Sequence, residues 1–186
     1  WLFLYFFGGT TLYCDMSFDK NGQLDRAGEQ RTIEHVVPRQ WLAERYGCEN
    51  AASCGDNKEF NFAAADLHNL WPAIGRINSS RKNVPFGELA GEEHRRKTDI
   101  CQDYERGPGP DGDAVVEPRE EVKGDIARSL LYMANAYDLD LRGMQAMVLR
   151  WHMSDPPDLH ERWRNFVIWR RQGTRNPYID GRAHPK

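Results

Sequence analysis

Glu34 and His35 stand side by side in the stretch RTIEHVVPRQW, residues 31–41. A carboxylate is a hard oxygen ligand suited to Mg²⁺. A neutral imidazole, with an ordinary pKa of about 6.5, takes a proton near neutral pH. Together these are the parts that hydrolysis of a phosphodiester requires: a base to activate water, a divalent cation to hold the scissile phosphate and stabilise the leaving oxygen, and a group that fixes the tautomer of the base. Neighbouring residues of a regular strand point to opposite faces. Glu34 and His35 therefore serve one site only where the strand ends and twists away, as Pro38 signals. A Glu-His pair by itself is also an ordinary surface couple, so the residues downstream decide its meaning.

Two downstream stretches supply what is missing, DLHNLWP (66–72) and GRINSSRKN (75–83). Asn69 lies on the next strand-like segment. There an amide, or a backbone carbonyl of the same segment, can hold the second ring nitrogen of the base. Asn78 follows inside a helical stretch, where its amide oxygen can complete a cation site, because Mg²⁺ keeps several waters and needs few protein ligands. His68 either faces the site or packs behind it, and the structural role is favoured. The other histidines, His94, His152, His160 and His184, have no company that suggests a ligand set.

These residues need elements to position them. RTIEHVV has the β-branched content of a strand. PRQWLAERYG predicts a short helix with Pro38 in its first turn and Gly47 at its stop. Residues 48–61 are expected as loop. LHNLWP is expected as a short strand ended by Pro72, and AIGRINSSRKN as a helix. GPGPDGD (107–113) is the clearest loop. In EEVKGDIARSLLYMANAYDL, Val122, Ile126, Leu130, Met133 and Tyr137 share one helical face. RGMQAMVLRWHM and LHERWRNFVIWRRQG repeat the pattern, so the last third is expected to be helical, from about 117 to 173. The opening run WLFLYFF is too short to span a membrane and predicts a buried first helix or strand. The expected class is α+β in a single domain, 1–186, with a small β-rich centre wrapped by helices.

Composition sets limits. With 186 residues, 40% apolar and 28% charged, the chain is long enough for a core and ordinary for a globular protein. A net charge of −3 argues against coating nucleic acid by bulk charge but leaves room for a local basic groove. Seven Lys/Arg residues against one acid from Arg162 to Lys186 mark such a place, with Arg170 and Arg171 as candidate backbone contacts; a solvated charged face is the plainer alternative. Four cysteines, with no Cys-x-x-Cys pair, argue against a structural zinc site. A local disulfide fits Cys48 and Cys54, and Cys14 with Cys101 would then form a long-range staple. Four buried free thiols in a reducing compartment is the other reading.

The stretches EHVVP (34–38), DLHNLWPAIGRINSSRKN (66–83), GDIARSLLYM (124–133) and NPYI (176–179), with LYCD (12–15), resemble the endonuclease I family of secreted or periplasmic nucleases. The resemblance runs from about Leu12 to about Ile179. It implies a ββα-metal (His-Me finger) core at about 31–83. It implies His35 as general base, Glu34 and Asn78 as ligands of Mg²⁺ (with Mn²⁺ or Ca²⁺ as substitutes), and Asn69 as the residue orienting the base. It implies cleavage of DNA, and of RNA as well, with little sequence preference and 5′-phosphate products. It favours the pairings Cys48–Cys54 and Cys14–Cys101, Arg81 and Lys82 near the nucleic-acid backbone, a secreted or periplasmic monomer, and no membrane partner. The chain departs from the family where an aromatic is replaced by Ile33 and an acid by Arg76. The family's phosphate-touching arginine has two candidates here, Arg45 and Lys58. The competing readings are an inactive nucleic-acid-binding module and a secreted, disulfide-stapled interaction protein.

Overall fold

The computed structural model describes residues 2–91 and 96–182; His94 and His184 lie outside them. In chain order the strands and helices are β1 (Gly9–Thr10), β2 (Ser17–Phe18), β3 (Arg31–His35), α1 (Arg39–Arg45), α2 (Lys58–Ala64), β4 (Leu70–Ile74), α3 (Gly75–Arg81), β5 (Arg96–Thr98), β6 (Cys101–Pro108), β7 (Ala114–Glu117), α4 (Lys123–Tyr137), α5 (Gln145–Ser154) and α6 (Leu159–Gln172). The chain is α+β, as its patterning predicts. It divides into two compact units that alternate along the sequence. One comprises Trp1–Glu34 and Trp71–Lys123, the other His35–Leu70 and Gly124–Lys186.

The first unit holds most of the strands. β3 pairs with β4. Gly75 donates its backbone N–H to the Gln30 carbonyl and Val36 donates to Asn69, so the pair is antiparallel. Antiparallel ladders alternate bonded and non-bonded positions. Counting inward from these two bonds puts Pro72 opposite Ile33 at a non-bonded position. Its missing N–H therefore costs the ladder nothing, and the strand runs through Pro72 to Ile74 instead of ending there. β5, β6 and β7 form a three-stranded antiparallel sheet that periodicity does not announce, and the loop expected at 107–113 is the turn of its β6–β7 hairpin. The core of this unit gathers Tyr13, Trp71, Ile74, Ile77, Phe86, Tyr104 and Val116, all buried. A disulfide joins Cys14 to Cys101. The opening apolar run is only partly as expected: residues Leu2–Tyr5 form a 3-10 turn with Leu4 and Tyr5 buried, while Phe6 and Phe7 are exposed.

The second unit is helical. α1 begins after Pro38, as expected, and buries Trp41, Leu42 and Ala43. The stretch expected as loop contains α2. Asn57 caps that helix by accepting from the Phe60 N–H at 2.9 Å, and Phe60 and Ala63 are buried. Cys48 and Cys54 form the local disulfide. Ile126, Leu130 and Met133 of α4, Val148 of α5 and Ile168 of α6 are buried, while Tyr137 is half-buried. Gly124 opens α4 where no side chain fits, because a Cβ there would lie 2.4 Å from the Asp155 carbonyl oxygen. α6 is capped by Asp158, which accepts from Glu161 N–H at 2.7 Å, and closes on Gly173 in the left-handed conformation. Arg128 of α4 pairs with Glu161 of α6 at 2.5 Å, and Asn176 donates to the Arg128 carbonyl. GDIARS and NPYI thus act as structural fastenings of this unit. No described helix is long and apolar enough to cross a membrane.

Candidate functional site

Glu34 is 1% exposed. Its Oε1 accepts from the Tyr13 hydroxyl at 2.9 Å and from Arg81 Nη1 at 2.6 Å. Arg81 is equally buried and lies over the Phe86 ring, 4.3 Å from its centroid. Burial pushes the Glu34 carboxyl above its ordinary range, against the pull of the Arg81 charge and of the bonds from Tyr13 and Arg81. The same burial, reinforced by the Glu34 charge, raises Tyr13. Tyr13 and Arg81 are the positioning residues that sequence reasoning misses. Arg81 is expected at the nucleic-acid backbone, but its guanidinium is turned inward to the carboxylate.

Asn78, in the first turn of α3, is tied to the strand that carries Glu34. Its Nδ2 donates to the Ile33 carbonyl at 2.9 Å and to Thr32 Oγ1 at 3.2 Å. A carbonyl partner requires the nitrogen at that end of the amide. Neither bond uses Oδ1. A fixed carboxylate and an amide oxygen on adjoining elements are hard donors that fit Mg²⁺. Among the described residues, no group of three or more His, Cys, Asp and Glu side chains is placed to hold a metal. Ile33 exposes 40% of its surface. What Asn78 takes from it is the backbone carbonyl, so this bond does not depend on the Ile33 side chain.

In the other unit, His35 is half-buried and its Nε2 lies 3.0 Å from the Ala64 carbonyl oxygen. A carbonyl only accepts, so Nε2 carries a proton, and in the neutral form of the ring Nδ1 holds the lone pair. Asn69 is expected to orient this base through the adjacent strand, and its side chain reaches the backbone past His35, not the ring itself. Its Oδ1 accepts from Val37 N–H at 2.7 Å and its Nδ2 donates to the Val37 carbonyl at 3.0 Å, while its carbonyl accepts from Val36. Asn69 thus clamps the backbone just past His35, and the Ala64 carbonyl fixes the ring.

The segment bearing Asn69 is fastened from behind. Asp66 accepts from the Tyr132 and Tyr137 hydroxyls at 3.0 and 2.6 Å and from Gln172 at 2.8 Å, and Arg164 donates to the Leu70 carbonyl at 2.7 Å. His68 packs behind, as the sequence favours. It is buried against Tyr132, its Nδ1 finds no hydrogen-bond partner among the described residues, and desolvation lowers its pKa to about 4.

The remaining cations differ in exposure. Lys82, Arg170 and Arg171 are exposed. Arg45 is held by Asp138 at 3.1 Å, and Lys58 is exposed at the start of α2. Arg76 pairs with Glu29 at 2.9 Å and Asp99 at 3.0 Å, so its charge is compensated within its own unit.

The known proteins that this chain is similar to carry nuclease names. A family model described as Endonuclease I matches residues 5–183. A periplasmic deoxyribonuclease of Aeromonas hydrophila is 34% identical over 152 residues, covering 79% of this chain and 62% of the relative. An extracellular ribonuclease of Bacillus subtilis is 38% identical over 157 residues, covering 73% of this chain and 49% of the relative. An Endonuclease-1 of Buchnera aphidicola is 30% identical over 158 residues, covering 82% and 60%. The chain thus spans between about half and three fifths of these relatives' lengths.

Proposed function

The chain belongs to the endonuclease I family, and on that footing we propose that it is a divalent-metal-dependent endonuclease. It hydrolyses phosphodiester bonds of DNA, and of RNA as well, with little sequence preference and leaves 5′-phosphates. β3, β4 and α3, in that chain order, are the ββα-metal element of the reading. Relatives named deoxyribonuclease and ribonuclease support the two substrate classes. The observation that carries the proposal is the contact of His35 Nε2 with the Ala64 carbonyl oxygen at 3.0 Å. His35 follows directly in sequence a carboxylate fixed by Arg81 and Tyr13.

In the proposed reaction His35 Nδ1 takes a proton from a water molecule as the water oxygen attacks phosphorus in line with the departing 3′ oxygen. The bond between phosphorus and the 3′ oxygen breaks, the departing 3′ oxygen takes a proton from solvent to become the 3′-hydroxyl, and the phosphate stays on the 5′ oxygen. The Ala64 carbonyl keeps the imidazole in the productive tautomer and stabilises it when it becomes charged. Asn69 fixes the backbone from which the ring projects. Mg²⁺, bound through Glu34 and Asn78 with Mn²⁺ or Ca²⁺ as substitutes, supplies stabilisation of the charge that builds on the phosphate and leaving oxygens. Arg81 and Tyr13 hold the Glu34 carboxylate in one orientation. Exposed Lys82, Arg170 and Arg171 are suited to salt-dependent backbone contacts that carry no sequence information.

The proposed setting is secreted or periplasmic, and the protein acts as a monomer. Two disulfides are at home in an oxidising compartment. A nicking assay on supercoiled plasmid, with Mg²⁺ and with EDTA, tests the function. Relaxation and linearisation only with the metal are expected. No cutting of plasmid or RNA with Mg²⁺, Mn²⁺ or Ca²⁺ would leave a binding or interaction module instead.

A further inference from the structure

α6 presents large aromatic rings to solvent. Trp163 is 58% exposed, Phe166 40% and Trp169 42%. They recur every third residue, so they are neighbours on the helix surface. Their ring centroids follow one another at 5.7 and 5.8 Å. Guanidinium groups flank the row, with Arg170 and Arg175 lying 5.8 and 5.9 Å from the Trp169 centroid. Exposed Arg162 and Arg171 add positive charge to the same helix. Of the nearby acids, Glu161 is buried against Arg128 and Asp180 compensates Arg175, so the positive charge of this face is carried by Arg162 and Arg170, with Arg171 beside them. The back of the helix is firmly held: Ile168 is buried, Arg164 bonds the Leu70 carbonyl, and Asn165 bonds Asn176.

Burying these rings would gain free energy, and the described residues leave 40–58% of each ring's residue exposed, so a ligand with flat apolar faces and negative charge is the complement. We propose that this face of α6 is a stacking platform for single-stranded nucleic acid. Bases stack on Trp163, Phe166 and Trp169 while the arginines follow the phosphates, an arrangement that accepts any base because every base has a π face. The centroid spacing exceeds the rise of about 3.4 Å per nucleotide along a strand of duplex DNA, so the platform fits an extended, unstacked strand. The inference rests on the nuclease reading and specifies the form in which substrate is held.

The test uses the intact chain in EDTA, with fluorescence anisotropy of a labelled oligo-dT of about 20 nucleotides and of a duplex of equal length. The variant Trp163→Ser/Phe166→Ser/Trp169→Ser is expected to bind oligo-dT at least about tenfold more weakly and duplex within about twofold of wild type. The variant Trp163→Tyr/Trp169→Tyr keeps the π faces and is expected to stay within about threefold for oligo-dT. The platform is overturned if the serine variant binds oligo-dT like wild type, or loses both ligands equally. Wild type that ignores oligo-dT but sediments with phosphatidylglycerol vesicles also overturns it. Plasmid cutting alongside unchanged oligo-dT affinity in the serine variant sinks the platform alone. Ring-dependent oligo-dT binding by a wild type that cuts nothing with any divalent metal supports the platform and sinks the nuclease reading alone.

Discussion

Arg81 Nη1 lies 2.6 Å from Glu34 Oε1, bridging 47 residues of sequence with both side chains buried. The ion pair explains how a carboxylate can stay charged where burial alone would protonate it. It also changes the role of Arg81 from substrate contact to positioning residue. Replacing Arg81 with Met leaves the carboxylate without its countercharge and is expected to cost about 3–5 kcal/mol. The Glu34 pKa then rises further above its unfolded value, so stability falls as pH rises through that window. Urea unfolding at pH 5 and 8 checks both points. A loss below about 1 kcal/mol would return Arg81 to the surface role.

The two disulfides close loops of very different length, 87 and 6 residues of separation. The loop-entropy estimate gives about 4–5 kcal/mol for Cys14–Cys101 and about 2 kcal/mol for Cys48–Cys54. Cys14→Ser/Cys101→Ser is expected to lower the thermal midpoint far more than Cys48→Ser/Cys54→Ser, by calorimetry at one scan rate. Equal losses would contradict this ordering.

Arg170 and Arg171 end α6 exposed to solvent. Substituting both with Gln is expected to weaken DNA binding uniformly across sequences and to reduce the slope of log K against log salt by about 2. Stability is expected to change by no more than about 0.5 kcal/mol. A salt titration in EDTA measures the slope, and an unchanged slope would place the phosphates elsewhere.

His68 is buried and neutral, with desolvation lowering its pKa to about 4. The unfolded chain takes up this proton near pH 6.5. Between these values the unfolded state binds more protons, so stability drops as pH falls from about 6.5 towards 4, by up to about 3 kcal/mol. His68→Gln is expected to flatten that part of the stability profile. An equally steep profile in the variant would assign the loss to other groups.

Much of this was legible in sequence, and the limits have physical causes. The Glu34–His35 adjacency, the Pro38 stop and the helical face of α4 are local patterns, and the structure follows them. α2 was legible in principle, from Asn57 as a cap followed by apolar Phe60 and Ala63, but it hides in a polar stretch. The partners of the site are another matter. That Asn69 grips Val37 while Ala64 holds His35 depends on contacts across 32 and 29 residues. No spacing rule specifies such pairs. Pro72 misled because a proline stops a strand only where its N–H is needed.

The central claim is that His35 is the base of a metal-dependent phosphodiester cleavage. The most direct measurement is the rate of supercoiled plasmid cutting in Mg²⁺ by His35→Ala against wild type, with duplex binding in EDTA and thermal unfolding measured on the same preparations. The account predicts that cutting falls at least about a hundredfold while binding and melting stay near wild type. Cutting at a near-wild-type rate by a folded His35→Ala protein would contradict it.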